Sequence, residues 1–132
     1  MSESSTHQKL VELIIEYVGN KVGQDYVCFI ESDMSDGRPL PELTDEGFRP
    51  DVYYEYNGNL IIGEAKTSND VSREHSLMQY ASYLRKCALY SGNAEYVMAV
   101  PWTESAEANN VVKRVMKQYP GDYEVKIIKG IV

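Results

Sequence analysis

The residues best suited to chemistry lie near the middle of the chain. Arg49-Pro50-Asp51 leads into Val52-Tyr53-Tyr54-Glu55-Tyr56, and past Asn57-Gly58 comes Leu60-Ile61-Ile62-Gly63-Glu64-Ala65-Lys66. Asn-Gly between two β-rich runs specifies a two-residue type I′ turn, which fixes the register of the hairpin around it. Paired positions then sum to 115, so Asp51 is expected opposite Glu64. Carboxylates facing each other across an antiparallel pair repel. A cation between them relieves that repulsion, and Lys66 shares the strand face of Glu64. Two acids and an ammonium in this arrangement form a site for a hard divalent cation and a water molecule. A salt-bridged surface hairpin is the competing reading. It is disfavoured because Leu60, Ile61 and Ile62 make the second strand apolar on both faces, as in a central strand where an unpaired acid is costly. Gly63 leaves space beside the acid, and Pro50 suits the first residue of a strand.

The elements that must position this hairpin read clearly along the chain. Thr6 can cap a helix from about His7 to Val18 with Leu10, Val11, Leu13, Ile14, Tyr17 and Val18 on its apolar face and Gln8, Lys9, Glu12 and Glu16 opposite. Tyr26 to Ile30 reads as a strand, and Ser32 to Gly47 as a long loop. After the hairpin, Thr67-Ser68-Asn69-Asp70 offers caps for a helix running to about Tyr90, with Leu77, Ala81, Leu84 and Ala88 as its buried stripe. Tyr96 to Val100 is a short strand stopped by Pro101. Ser105 to Tyr119 is a helix with Ala108, Val111, Val112, Val115, Met116 and Tyr119 on one face, and Tyr123 to Ile131 is a last strand. The order is α-β-β-β-α-β-α-β, which predicts an α/β fold with a central mixed sheet flanked by helices. The helix joining the hairpin to Tyr96–Val100 is long enough for a crossover, so those two strands are expected to be parallel.

At 132 residues, 43% hydrophobic and 25% charged, the chain reads as one globular domain, 1–132. No apolar run is long enough to span a membrane. The polar, acidic start Met1–Thr6 lacks the pattern of a secretory signal, so a cytoplasmic location is expected. Cys28 and Cys87 have neither spacing nor histidine neighbours for zinc and are expected to be buried free thiols. His7 and His75 are expected at the surface or at a cap, and Trp102 as an anchor at a strand end. A net charge of −7 opposes long-range attraction to nucleic acid, although bound divalent metal would neutralise part of it.

The motif and the element order together resemble the PD-(D/E)xK phosphodiesterase superfamily, which includes restriction enzymes, archaeal Holliday-junction resolvases and RecB-like exonucleases. Pro50-Asp51 and Glu64-Ala65-Lys66 match its motif. The resemblance covers about residues 6–101, leaving 103–132 as a C-terminal α-β extension, and it implies a three-layer restriction-endonuclease-like core. It implies further that Asp51, Glu64 and the Ala65 carbonyl bind Mg²⁺, with Mn²⁺ as a substitute, and that Lys66 orients and helps deprotonate the attacking water. In several branches an acid of the first helix completes the metal site. Glu12 is favoured here, with Glu16 or neither as alternatives. RecB-like members also carry Gln-x-x-x-Tyr on the following helix, which makes Gln79 and Tyr83 candidate substrate contacts on a polar face with Ser72, Ser76 and Lys86. Thr67 is a candidate phosphate contact or a helix cap.

Arg49, Arg73, Arg85, Lys86, Lys113, Arg114 and Lys117 are the basic groups that could meet phosphates, and they form no dense run. The leading expectation is a metal-dependent nuclease that hydrolyses DNA as a homodimer or beside a protein partner. The alternatives are a catalytically weak binding or assembly module in a DNA-processing or phage-defence complex, and an RNA-directed nuclease.

Overall fold

The structure is a computed structural model that describes residues 5–29 and 39–132. Its elements are α1 (Ser5–Val22), β1 (Cys28–Phe29), β2 (Val52–Tyr56), β3 (Asn59–Ala65), α2 (Glu74–Leu89), β4 (Asn93–Pro101), α3 (Ser105–Met116) and β5 (Glu124–Gly130). A 3₁₀ turn over Trp102–Glu104 joins β4 to α3.

The five strands lie in sequence order, β1-β2-β3-β4-β5. Asn57 and Gly58 both take positive φ, 55° and 78°, as a type I′ turn requires. The register follows from that turn: Tyr56 pairs with Asn59 and Val52 with Gly63, the spacing that was expected. β3 and β4 run parallel, joined by α2 as crossover, and β5 continues parallel to β4. The sheet is therefore mixed, antiparallel on the β1 side and parallel on the β5 side.

Two apolar layers sandwich it. On one face Leu10, Val11, Ile14 and Val18 of α1 pack on Val52, Tyr54, Ile61, Ala65, Val97 and Ala99. On the other, α2 and α3 cover Tyr53, Leu60, Ile62, Tyr96, Met98 and Val100. The alternation of β3 sends Ile61 to one layer and Leu60 and Ile62 to the other, which is why this strand reads as apolar throughout. Helices on both faces of one sheet make the three-layer α/β arrangement, and no helix of the described residues is long and apolar enough to cross a membrane.

Several boundaries differ from expectation for identifiable reasons. α1 runs through Gly19 and stops at Gly23, whose φ is +87°. The extra turn places Lys21 2.7 Å from Glu95 of β4, a tertiary contact that offsets the cost of a helical glycine. α2 begins only at Glu74, because the Thr67 hydroxyl pairs with the Asp70 carboxylate and the chain makes turns there instead of capping a helix. Its most buried positions are Ser76, Tyr80, Ser82, Tyr83, Leu84 and Cys87, rotated from the expected Leu77–Ala81–Leu84–Ala88 stripe. Three of the four expected residues are only half-buried, since the sheet selects the face carrying the larger aromatic area. α3 ends at Met116 rather than Tyr119. Of the first expected strand, Cys28–Phe29 is observed and Tyr26 lies outside it, while Ile30 and the expected loop residues up to 38 fall outside the described residues. Cys87 is buried, Cys28 half-buried, and both are free thiols.

Candidate functional site

The hairpin delivers Asp51 and Glu64 to one end of the sheet, where β3 stops between two partner strands. Asp51 lies immediately before β2, its backbone N–H donating to the Glu64 Oε1 at 3.3 Å. In return the Asp51 Oδ2 accepts from the Ala65 N–H at 2.9 Å. These two bonds close the ladder beyond the last paired residues and fix both carboxylates to backbone. The Lys66 N–H donates to the Ala99 carbonyl at 3.0 Å, so Lys66 is anchored to β4 although it lies past the end of β3.

Asp51, Glu64 and Lys66 are buried at 9%, 5% and 8% exposure, unusual for three charged side chains and the reverse of a solvated salt bridge. The Lys66 Nζ is 3.4 Å from the Glu64 Oε2 and donates to the Gln79 side-chain carbonyl. Burial, and next the Asp51 charge, push the Glu64 carboxyl up to about 8 against the lowering influence of Lys66. A divalent cation would remove that penalty.

These groups open into a cleft of about 780 Å³ lined also by His7, Arg49, Thr67, Asp70, Arg73, His75, Ser76 and Gln79. α1 supplies His7 to it, not Glu12. The His7 Nε2 is 3.4 Å from the Asp51 Oδ2, whereas Glu12 and Glu16 are exposed and line no part of the cleft. His7 lies three, four and seven residues before Leu10, Val11 and Ile14, on the stripe that α1 buries, and that spacing was the available signal for it. Of the α2 pair, Gln79 reaches the cleft and Tyr83 does not. Tyr83 is fully buried, its ring 6.0 Å from that of Tyr96, within the core. Burial raises the Tyr83 hydroxyl pKa, with the Glu64 charge contributing. Asp70, expected only as a cap, is also a cleft residue.

Arg49 and Arg73 are the basic groups brought to the site, Arg49 donating to the Pro41 carbonyl and Arg73 to the Asn69 carbonyl at 2.8 Å. Arg85 and Lys86 turn elsewhere, pairing with Glu46 and Glu42 at 3.2 and 3.1 Å. These pairs strap the segment before Arg49 across α2, helped by Ser82, whose hydroxyl is 2.6 Å from both Thr44 Oγ1 and Glu46 Oε1.

Among the described residues no three His, Cys, Asp or Glu side chains gather as an all-protein metal cage would require. The oxygen groups that could hold a cation there are the Asp51 and Glu64 carboxylates, with Ala65 also lining the cleft. They suit Mg²⁺, which keeps several waters and is held through one or two carboxylates together with substrate phosphates. Compared with protein-family models, curated proteins and solved structures, the chain matches none of them.

Proposed function

We propose that the protein is a metal-dependent phosphodiesterase that hydrolyses DNA. The observation that carries this reading is the reciprocal Asp51–Glu64 arrangement with Lys66 beside it, three buried ionisable groups opening into one cleft. A structural role explains such a set poorly, because burying ionisable groups, charged or forced neutral, stabilises a fold weakly at best. Mg²⁺ or Mn²⁺ held by Asp51, Glu64 and the Ala65 carbonyl would supply Lewis-acid stabilisation of charge on the phosphoryl oxygens. The chain's own groups do the rest. Lys66, held by Gln79 and Glu64, orients the water for in-line attack on phosphorus. Arg49 and Arg73 at the cleft wall bind the flanking phosphates. His7, 3.4 Å from the Asp51 carboxylate, fixes it from the α1 side.

The test is cleavage of linear, nicked, single-stranded and branched DNA, with single-stranded RNA in parallel, under Mg²⁺ or Mn²⁺. Cleavage is expected to disappear in Asp51→Ala, Glu64→Ala and Lys66→Ala. Undiminished cleavage by purified Lys66→Ala would refute the mechanism. The net charge of −7 favours a second reading, a nuclease-like binding module with little catalysis that works inside a larger complex, as a homodimer or with a protein partner. Calorimetric titration with Mn²⁺ separates the two, since the nuclease reading requires heat of binding that Glu64→Ala abolishes.

A further inference from the structure

The charge of this protein is divided along the chain. Residues 109–132 carry five Lys or Arg against two Asp or Glu, a net +3, while residues 1–108 carry eight against eighteen, a net −10. The positive part takes in the C-terminal half of α3 and all of β5, and among the described residues β5, seven residues long, is an edge of the sheet.

Two shallow grooves flank that edge. One, of about 380 Å³, lies between α1 and β5, and the other, of about 430 Å³, between α3 and β5. Lys126 and Lys129 line both, and Lys113 lines the second. None of Lys113, Arg114, Lys117, Lys126 and Lys129 makes an ion pair among the described residues, in contrast to Lys21, Lys66, Arg73, Arg85 and Lys86. At the head of the edge stands Trp102, the only tryptophan of the chain and 58% exposed. It follows Pro101, which pairs with Gly130 at the end of β5, so it stands just past the last paired residues of that edge and is no buried anchor. Trp102 is also on the site's end of the sheet. Ala65 pairs with Ala99, three residues before Trp102, a separation of roughly 10 Å at about 3.3 Å per residue. That is the length of about three stacked nucleotides at 3.4 Å each.

We propose that Trp102 and the lysines of the β5 edge form a track for a single strand of nucleic acid, Trp102 stacking an unpaired base and Lys129, Lys126 and Lys113 following the phosphates away from the cleft. A basic groove with an aromatic platform is the arrangement that binds single strands without reading sequence. It answers the difficulty raised by the acidic total, because the strand meets the C-terminal segment, residues 109–132, whose net charge is positive. The inference deepens the phosphodiesterase reading by naming a single strand as the form held. Binding is nevertheless independent of cleavage.

Lysines on an edge strand also guard it against pairing with another strand, and charge of either sign does this. Reversal therefore separates the two roles. The experiment follows Trp102 fluorescence during titration with a twelve-residue oligo-dT, the equivalent oligo-U and a blunt DNA duplex, in EDTA so that no cleavage occurs. Expected are quenching by one or both single strands and little by the duplex, the two single-strand arms showing whether DNA or RNA is preferred. Anisotropy of the labelled oligomer should show binding weakened about tenfold in Trp102→Ala. In Lys126→Glu/Lys129→Glu the slope of log K on log salt should be shallower by at least roughly 1.4. Unchanged fluorescence, an unchanged slope in the double variant, or equal displacement by polyglutamate, the signature of an acidic peptide site, would each overturn the track. Sedimentation of the double variant checks that it remains folded and does not associate. Loss of cleavage with binding intact would count against the phosphodiesterase reading alone.

Discussion

Glu64 is the residue on which the physical chemistry of the cleft turns. Its carboxyl is buried next to a second acid, and its pKa stands at about 8 instead of the ordinary 4.5. Between those values, in the absence of metal, the folded protein keeps the Glu64 proton and the unfolded chain has released it, so stability falls as pH rises through that window. Thermal unfolding in EDTA is expected to show a midpoint that drops from pH 5 to pH 8.5 in the wild type and drops less in Glu64→Gln. An equal drop in both proteins would contradict the burial argument. Mn²⁺ should restore the wild-type midpoint at pH 8.5 and leave Glu64→Gln nearly unmoved. Lys66 depends on Gln79, whose carbonyl accepts its ammonium proton. Gln79→Ala should therefore lower kcat about 10–100-fold with KM little changed, as loss of an orienting partner does. A change confined to KM would assign Gln79 to substrate binding instead.

At the scale of elements, the site depends on how closely α1 lies against the hairpin. A Cβ on Gly63 would stand 2.6 Å from the Ile14 Cγ2 and 3.2 Å from the Val52 Cβ. Glycine here is a matter of space between α1 and β3. Gly63→Ala is expected to cost about 1–3 kcal/mol by denaturant unfolding, and to reduce metal affinity because His7 and Asp51 are carried by the elements that must separate. The turn at Asn57-Gly58 has a different requirement. Gly58 at φ +78° meets nothing within 4 Å, so Gly58→Ala is strained by backbone conformation alone, at about 1–2 kcal/mol, and should leave metal binding intact. The pair of variants separates packing from turn geometry.

Over the whole molecule, the centre of the sheet is its most protected region. β3 and β4 are buried on both faces and have strands on both sides, whereas β5 is, among the described residues, open along one edge. Amide hydrogen exchange should be slowest at Ile61–Ala65 and Tyr96–Val100, and markedly faster on the outer edge of β5. The candidate site thus stands on the most rigid strands, with its variable parts on α1, α2 and the strap before Arg49. Much of this was legible in one dimension. Asn57-Gly58 sets the hairpin register through local φ preferences, the apolar run Leu60–Ile62 marks a central strand, and the crossover length makes β3 and β4 parallel. All three signals are local or periodic, so the chain carries them without reference to its fold. Which face of α1 and of α2 meets the sheet was decided only in three dimensions. That choice is a competition between packing surfaces: it brought His7 to Asp51, left Glu12 in solvent and drew Tyr83 into the core. The sequence by itself determined the acid pair and its lysine; tertiary packing decided their companions, because a helix's partner is set by the shape and area of the surface it covers.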